Sequence, residues 1–220
     1  MGIIRRPLRG GATTRRRKHW AYGLFELLLT VAIALGIAFG VQAFVVKPYK
    51  IPTGSMEPTL AVGQRVLVNR LFGSPHVGQI VVFHPPAGAE QGQCGTASGA
   101  VAPGGAACDA TNPHSAAVNF IKRIVAGPGD TIYISRGHVY RRPMGAARFV
   151  RERDPYIKAC DASGECEFPR PITIPADHWF MMGDNRGDSE DSRFWGPVPT
   201  SSIIGGAIFS YWPLGRLGTL

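Results

Sequence analysis

Residues 118–134 read VNFIKRIVAGPGDTIYI, and this stretch decides the fold class of the chain. Two runs rich in β-branched and aromatic residues, 118–125 and 131–134, flank the sequence Gly127-Pro128-Gly129-Asp130. Such runs favour strands, and the sequence between them is typical of a turn. The stretch therefore predicts two short strands of a β domain.

Similar short runs occur on both sides of this stretch, separated by further turn sequences such as Gly73-Ser74-Pro75. The chain also has 28 glycines, 18 prolines and only 18% charged residues, a composition that suits many short strands joined by turns. We therefore expect a mainly β fold with antiparallel sheets. The additional predicted strands are residues 65–69, 80–84, 172–174, 179–182 and 207–211.

Two regions of the predicted domain, residues 47–212, lack the strand pattern. Residues 85–117 are a Gly/Ala/Pro-rich insertion with almost no large apolar residue, and residues 137–171 are a second irregular region. Both are predicted to be surface excursions from the sheet. Residues 213–220 are predicted to be a C-terminal tail.

An apolar segment precedes the β domain. Residues 27–46 are almost all apolar or small, and as a helix they span about 30 Å, roughly one hydrocarbon core. With Trp20 and Tyr22 as interfacial aromatics, residues 20–46 are predicted to be a single transmembrane anchor. A secretory signal cleaved near Ala43 is the alternative, but the apolar core of a signal usually runs only about 7 to 15 residues.

The charge of the chain is strongly positive, with 24 Lys and Arg against 15 Asp and Glu. Basic residues crowd residues 1–19, where they would hold a tail on the cytoplasmic side and close to membrane lipids. No helix-turn-helix, zinc or RNA-binding signature accompanies them, so nucleic acid is not expected as a partner. The β domain would then be extracytoplasmic. The crowded residues are Arg5, Arg6, Arg9, Arg15, Arg16, Arg17 and Lys18.

The four cysteines predict two disulfides, because an even count suits an oxidising compartment. Cys160 and Cys166 are one candidate pair. Cys94 and Cys108 are the other, and they would close the Gly/Ala-rich stretch between them. Zinc is the alternative, but the chain has no Cys-x-x-Cys pair and its histidines lack metal-ligand spacing. No metal or other cofactor is expected.

A serine with restrained neighbours follows the apolar segment, in the sequence IPTGSMEPTL at 51–60. Pro52 and Pro58 fix φ on either side of Ser55, and Gly54 lets another chain approach the backbone. On this spacing alone a serine is more often a turn residue than a nucleophile. As a nucleophile it needs a base, and no histidine lies beside a Ser or Asp motif that suggests a triad.

Lys122 is the candidate base. Strand alternation places it on one face between Phe120 and Ile124. Burial disfavours the charged form of lysine, and moving its pKa from about 10.4 to near 8 takes roughly 3 kcal/mol. The alternative, which periodicity alone favours, is a lysine that reaches solvent from an edge strand.

A third polar cluster, GDNRGDSEDSR, occupies residues 183–193. Ion pairs among Asp184, Asp191 and Arg193 would hold a loop rigid. Ser189 would exchange a hydrogen bond with a neutral lysine amine. Calcium is the alternative, since spaced Asp and Asn suit a hard cation, but the twelfth position counted from Asp184 is a tryptophan where an EF-hand loop needs Glu.

Together these motifs, SMEPTL at 55–60, KR at 122–123 leading into GPGD at 127–130, and GDNRGDSEDSR at 183–193, resemble type I signal peptidases. The resemblance runs from the anchor to about Gly206. It implies a Ser/Lys-dyad serine endopeptidase with an antiparallel β-sheet ectodomain after one N-terminal transmembrane helix. Such a protein would be a monomer in the bacterial cell membrane, with its N-terminus in the cytoplasm. It would remove signal peptides from secreted preproteins, cutting after small residues in Ala-x-Ala sites.

The resemblance also implies a role for each matching position. Ser55 would attack the scissile carbonyl, with Lys122 as base and then as acid. The Ser55 N–H and the Thr53 hydroxyl, at a position where relatives commonly have Ser, would form the oxyanion hole, and Ser189 would orient Lys122. The Cys160/Cys166 pair resembles a disulfide of some members. The supporting residues would be Asp191, Arg193, Arg123, Gly183 and Asp184.

Three other functions remain open from the residues. A Ser/Lys self-cleaving repressor relative uses similar chemistry but would be soluble and would carry a DNA-binding domain in place of the apolar segment. A specialised peptidase that matures pilin or conjugation proteins would share the membrane topology. A catalytically inactive, membrane-tethered β module would show no processing change when Ser55 is replaced by alanine.

Overall fold

The computed structural model describes residues 13–71, 73–95, 105–158, 160 and 166–220, with the side chains of 13–19, 21 and 41–44 left out. Residues 1–12 of the predicted tail, with Arg5, Arg6 and Arg9, lie outside the described residues. The chain divides into two units, Met1–Phe44 and Val45–Leu220.

The first unit is the helix α1, Thr13–Phe44. Its stretch Tyr22–Gly40 is long and apolar enough to cross a membrane, by length and composition. The anchor was predicted to reach residue 46, but the helix ends at Phe44 and Val46 begins a strand. Hydropathy could not separate the end of the helix from the start of the strand, because β-branched apolar residues suit a strand as well as a membrane helix. Pro48 disfavours continuation of the helix at that position.

The second unit contains two antiparallel sheets, which confirms the predicted fold class. The larger sheet has the order β1-β2-β11-β3-β4-β9-β10, with β12 paired to β11. The smaller has the order β7-β6-β5-β8. The strands are β1 Val46–Lys50, β2 Arg65–Asn69, β3 Ile80–Phe83, β4 Phe120–Ala126, β5 Thr131–Ser135, β6 His138–Arg142, β7 Val150–Arg151, β8 Phe168–Thr173, β9 His178–Met182, β10 Val198–Pro199, β11 Ile203–Trp212 and β12 Gly218–Thr219. A short helix, α2, spans Ser192–Trp195.

The prediction for residues 137–171 is wrong in part, since β6, β7 and the start of β8 lie in this region. Strand β6 pairs with β5 across a two-residue turn, in which Arg136 and Gly137 both have positive φ. This geometry suits a tight hairpin. The sequence of β6 hides the strand, because Val139 is its one fully buried side chain and Tyr140 instead stacks on Tyr133. Cross-strand pairing thus decides a segment whose own alternation is weak.

The predicted C-terminal tail is also structured. A 3-10 helix at Leu214–Arg216 leads into β12, which pairs with β11 through Phe209↔Thr219 and Ser210↔Gly218. The sheet therefore extends into residues 213–220. A strand of two residues carries no periodic signal, so the sequence could not indicate it.

Both predicted disulfides form. Cys94 and Cys108 have Cα atoms 5.6 Å apart, and Cys160 and Cys166 have Cα atoms 6.1 Å apart, within the usual range for a disulfide. All four thiols are therefore used in covalent pairs. The zinc alternative loses its cysteine ligands for this reason.

In the described part of the chain, three apolar clusters support the sheets. One cluster packs Ile51, Met56 and Leu60 against β2 and β3. Another joins Phe83, Ala89 and Trp195 beneath the start of β4. The third fills the space between the smaller sheet and β9. The residues on either side of Ser55 are thus fixed by burial.

Candidate active site

Ser55 lies in a 3-10 turn, Gly54–Met56, whose neighbours are fixed. Met56 is fully buried, and the Leu60 N–H donates to the Met56 carbonyl at 2.9 Å. Ser55 itself is 8% exposed, and its Oγ accepts a hydrogen bond from Thr53 Oγ1 at 3.4 Å. The sequence IPTGSM thus presents a serine hydroxyl from a rigid turn, with a second hydroxyl beside it.

The loop that follows β9 holds the backbone of this turn. The Asn185 N–H donates to the Ser55 carbonyl at 3.0 Å, and Asn185 Nδ2 donates to the Gly54 carbonyl at 3.2 Å. Gly183 must lack a side chain, because a Cβ there would collide with the Ser55 carbonyl oxygen and with Ser189 Oγ. The predicted supporting role of Gly183 therefore has a steric basis, the close approach of two loops.

Lys122 projects from β4 and is 5% exposed. Its Nζ donates a hydrogen bond to Ser189 Oγ at 3.0 Å. Burial lowers the pKa of Lys122 from 10.5 to about 8, and the negative charge of Asp191 only partly opposes this shift. A useful fraction of this amine is therefore neutral at slightly alkaline pH.

Ser189 connects Lys122 to a buried ion pair. Its Oγ donates to Asp191 Oδ2 at 2.9 Å, and Arg193 holds both oxygens of Asp191, with Nε at 2.8 Å and Nη2 at 2.9 Å. Burial raises the pKa of Asp191, but the charge and hydrogen bonds of Arg193 outweigh it and keep that pKa below its ordinary value. Because the proton of the Ser189 hydroxyl points to Asp191, its lone pairs face the lysine amine.

Arg123, the next residue on β4, forms a separate ion pair. Its Nε and Nη2 donate to the two oxygens of Asp184 at 2.9 and 2.7 Å, and its Nη1 donates to the Gly78 carbonyl at 2.7 Å. The ring of Tyr156 lies 3.9 Å from the guanidinium carbon. Two of the carboxylates in the stretch that suggested calcium are therefore engaged by arginines, Asp184 by Arg123 and Asp191 by Arg193.

A cleft of about 660 Å³ brings the candidate residues together. Ser55, Thr53, Lys122 and Ser189 all line it, whereas Arg123, Asp184, Asp191 and Arg193 are buried and are not among its lining residues. In the described part of the chain, Ser55 Oγ and Lys122 Nζ do not share a hydrogen bond. Such contacts are often long in an empty site and tighten when substrate binds.

Two residues with clear contacts were not assigned a role from the sequence. One is Asn185, which holds the Ser55 turn. The other is Arg186, which is 2% exposed, donates to the Gly183 carbonyl at 3.0 Å and also contacts the Gly137 carbonyl. Their presence in the GDNR motif was the available signal, but apart from Gly183 their partners lie far away in sequence.

Comparison with known proteins identifies the family of this chain. The model of the family described as "Signal peptidase, peptidase S26" matches residues 24–212. Signal peptidase I of Leptolyngbya laminosa is 33% identical, over 90% of this chain and 84% of its own. Probable signal peptidase I-2 of Synechocystis sp. is 34% identical, over 89% and 76%. Signal peptidase I of Pseudomonas aeruginosa is 29% identical, over 84% and 72%. The chain therefore belongs to the signal peptidase family, peptidase S26.

Proposed function

We propose that this chain removes signal peptides from secreted preproteins, cutting after small residues with Ser55 as nucleophile and Lys122 as general base. The observation that carries the proposal is the environment of Lys122. Its amine is buried, its pKa is lowered to about 8, and it shares one cleft with the Ser55 hydroxyl. A serine becomes a useful nucleophile only when a base takes its proton, and a neutral amine can do so.

In the first step, neutral Lys122 accepts the proton of Ser55 as Oγ attacks the scissile carbonyl carbon. The hydrogen bond from Nζ to Ser189 Oγ directs one N–H away from Ser55 and leaves the amine lone pair free to accept. Asp191 and Arg193 hold Ser189 in this orientation. Ser189 is thus a positioning residue, which sets the direction of the amine without touching the substrate.

The oxyanion that forms is bonded to the same carbon as Ser55 Oγ, so a donor close to Oγ lies close to the oxyanion. Thr53 Oγ1 is such a donor, at 3.4 Å from Ser55 Oγ. With substrate bound, we propose that its hydroxyl and the Ser55 N–H donate to the oxyanion. Asn185 and Gly183 support this arrangement by fixing the backbone of the turn.

The protonated Lys122 then donates its proton to the leaving amine, and the peptide bond breaks. An acyl group remains as an ester on Ser55. Lys122, neutral again, takes a proton from a water molecule that attacks this ester. It returns that proton to Ser55 Oγ as the ester C–O bond breaks, so the carboxylic acid product leaves and both the serine hydroxyl and the neutral amine are restored. Each step uses the same amine, alternately as base and acid.

We further propose that α1 anchors the protein in the bacterial cell membrane as a single span, with the basic N-terminus in the cytoplasm and the β domain outside. The apolar stretch Tyr22–Gly40 supports the anchor, and the position of the basic residues supports the orientation. The two disulfides support an oxidising compartment for the β domain. An anchored protease and its signal-peptide substrate share one surface, which raises their effective concentration. The protein is proposed to act as a monomer.

The test is to incubate the purified full-length chain, in detergent micelles, with a preprotein that carries an Ala-x-Ala site. Mass spectrometry of the products should show one cut, after the second alanine. The Ser55→Ala variant should give no product, and chelation with EDTA should leave the rate unchanged because the base is an amine. Cutting at other sites, or an equal product from Ser55→Ala, would contradict the proposal.

A further inference from the structure

The insertion at residues 85–117 is not a loose excursion where the structure describes it, at 85–95 and 105–117. Asn112 Nδ2 donates to the Ala87 carbonyl at 2.9 Å and to the Gly95 carbonyl at 3.2 Å. The Ala87 N–H donates to the His114 carbonyl at 2.8 Å. The Cys94–Cys108 disulfide joins the same two limbs. The two limbs therefore form one cross-linked unit.

This unit is docked on the segment that carries Arg193. The Cys108 N–H donates to the Arg193 carbonyl at 2.9 Å, and Ala89 is fully buried in one cluster with Trp195. Gly196 lacks a Cβ at a point where one would collide with the Ala110 carbonyl oxygen. Contacts within α2 and directly after it therefore fix the insertion to the body of the domain.

Among the described residues of the insertion, Gly92 is the one that lines the cleft. A 3-10 turn, Ala89–Gln91, runs between two glycines with left-handed backbone, Gly88 and Gly92. Gly92 lines the same cleft as Ser55 and Lys122. A Cβ added at Gly92 would meet no atom of the described residues within 4 Å, so a side chain there would occupy space that the described part of the chain leaves open.

We propose that this insertion forms one wall of the peptide cleft, and that the bare backbone at Gly92 sets how large a substrate side chain the wall accepts. The Cys94–Cys108 disulfide holds the wall against the domain. The inference rests on the proposed function, because it takes the cleft as the site of the substrate peptide. The composition of the insertion supports the need for a cross-link, since Gly/Ala-rich sequence orders poorly through packing alone.

The first experiment adds a side chain to the wall without disturbing its backbone. Asn tolerates left-handed φ better than other residues, so Gly92→Asn should fold. Peptides are compared in which single residues near the cut are Ala or Phe, at positions where the wild type cuts both. For at least one position, the kcat/KM of the Phe peptide divided by that of the Ala peptide should be about ten-fold lower in Gly92→Asn than in the wild type.

Gly145→Asn is the matched control. Gly145 also has positive φ and open space around its Cβ position, but it lies in the exposed turn between β6 and β7. Its ratios should equal those of the wild type. Unchanged ratios at every position in Gly92→Asn would overturn the proposal.

The second experiment removes the cross-link in the double variant Cys94→Ser/Cys108→Ser. KM should rise about ten-fold as the wall moves, with kcat and its pH dependence nearly unchanged, because the contacts of Lys122 and Ser189 lie outside the insertion. An unchanged KM would overturn the proposal. A lower kcat with a shifted pH dependence would also overturn it, since the insertion would then act through Arg193.

Binding separates this inference from the proposed function. In a Ser55→Ala background, the fluorescence anisotropy of labelled peptides reports the dissociation constant without cleavage. Gly92→Asn should weaken the affected Phe peptide about ten-fold relative to its Ala counterpart. If the wild type cuts no preprotein but Gly92→Asn still binds the Phe peptide more weakly than its Ala counterpart, only the proposed function is contradicted. A cleft that binds no peptide would contradict both.

Discussion

Lys122 and Arg123 are neighbours on β4, both are cations and both are buried, yet the molecule treats them in opposite ways. Arg123 donates to both oxygens of a buried carboxylate and stacks under Tyr156. Lys122 donates to a neutral hydroxyl, and its pKa is lowered to about 8. Arg123, on one face of the strand, is paired with a carboxylate. Lys122, on the other face, can lose its proton at slightly alkaline pH.

The difference shows how a β strand can combine structure and chemistry in adjacent residues. A bidentate carboxylate compensates the cost of burying the Arg123 guanidinium. Lys122 lacks such compensation, so burial favours its neutral form. The nearest carboxylate, Asp191, is instead held by Arg193, and Ser189 stands between it and the amine.

The largest expected effect comes from exchanging the two cations. Lys122→Arg should lower kcat/KM by about 10⁴-fold or more, because a guanidinium cannot accept the serine proton. Ser55→Ala should cause a similar loss. The converse exchange, Arg123→Lys, should keep most of the activity, because a lysine there still carries the charge that Asp184 needs. Steady-state cleavage of one preprotein measures all three variants.

Stability measurements on the same variants distinguish a loss of catalysis from a loss of folding. Thermal unfolding should show that Ser55→Ala keeps the stability of the wild type, whereas Arg123→Lys loses some because the bidentate contact is gone. Full activity in Lys122→Arg would refute the role of Lys122 as base.

The second prediction concerns the ion pair between Arg123 and Asp184. Asp184→Asn should cost about 3 to 5 kcal/mol of unfolding free energy, because it leaves the buried Arg123 without its counter-charge. Urea unfolding at neutral pH measures this loss. Asp188→Asn is a matched control, since Asp188 lies in the same loop but is exposed. Equal stabilities of the two variants would show that the Arg123 pair contributes little.

The third prediction tests Thr53. Thr53→Val keeps the branched shape but removes the hydroxyl, and kcat should fall about 10² to 10³-fold, roughly 2.7 to 4 kcal/mol, with little change in KM. Thr53→Ser keeps a hydroxyl and should remain active. If valine and serine behave alike, Thr53 is a turn residue and the oxyanion donors lie elsewhere.

The smallest effect is expected at Ser189. Ser189→Ala removes the acceptor of the Lys122 hydrogen bond, a loss of about 1 to 3 kcal/mol or roughly 5- to 150-fold in kcat. The apparent pKa of the rate should change as well, because the hydroxyl also separates Lys122 from Asp191. A purely structural serine would alter stability without altering the pH dependence.

Much of this arrangement is predictable from local sequence. The alternation around Lys122 and the turn at 127–130 predict strands β4 and β5. Periodicity alone instead favours a Lys122 that reaches solvent, whereas the structure buries it. The cysteine count predicts both disulfides. These features depend on residues that are close together in the chain or on chemistry that permits few alternatives.

Other features depend on contacts between distant segments. Asn185 holds the Ser55 turn across 130 positions of sequence, and no local pattern in GDNR indicates that partner. The docking of the insertion likewise depends on Gly196, which is small because the Ala110 carbonyl approaches it. Strand β6 forms because β5 is beside it. Each is a property of tertiary packing, which a single sequence does not display.

The pH dependence of kcat/KM is the most direct test of Lys122 as the general base. Below its pKa Lys122 is an ammonium ion and cannot accept the serine proton, whereas above it the neutral amine can. If buried Lys122 is the base, kcat/KM should rise with pH and level off, with an apparent pKa of about 8. An inflection near pH 6.5 would indicate histidine, and one above about 10 an unperturbed lysine, and either would contradict a buried Lys122 as the base.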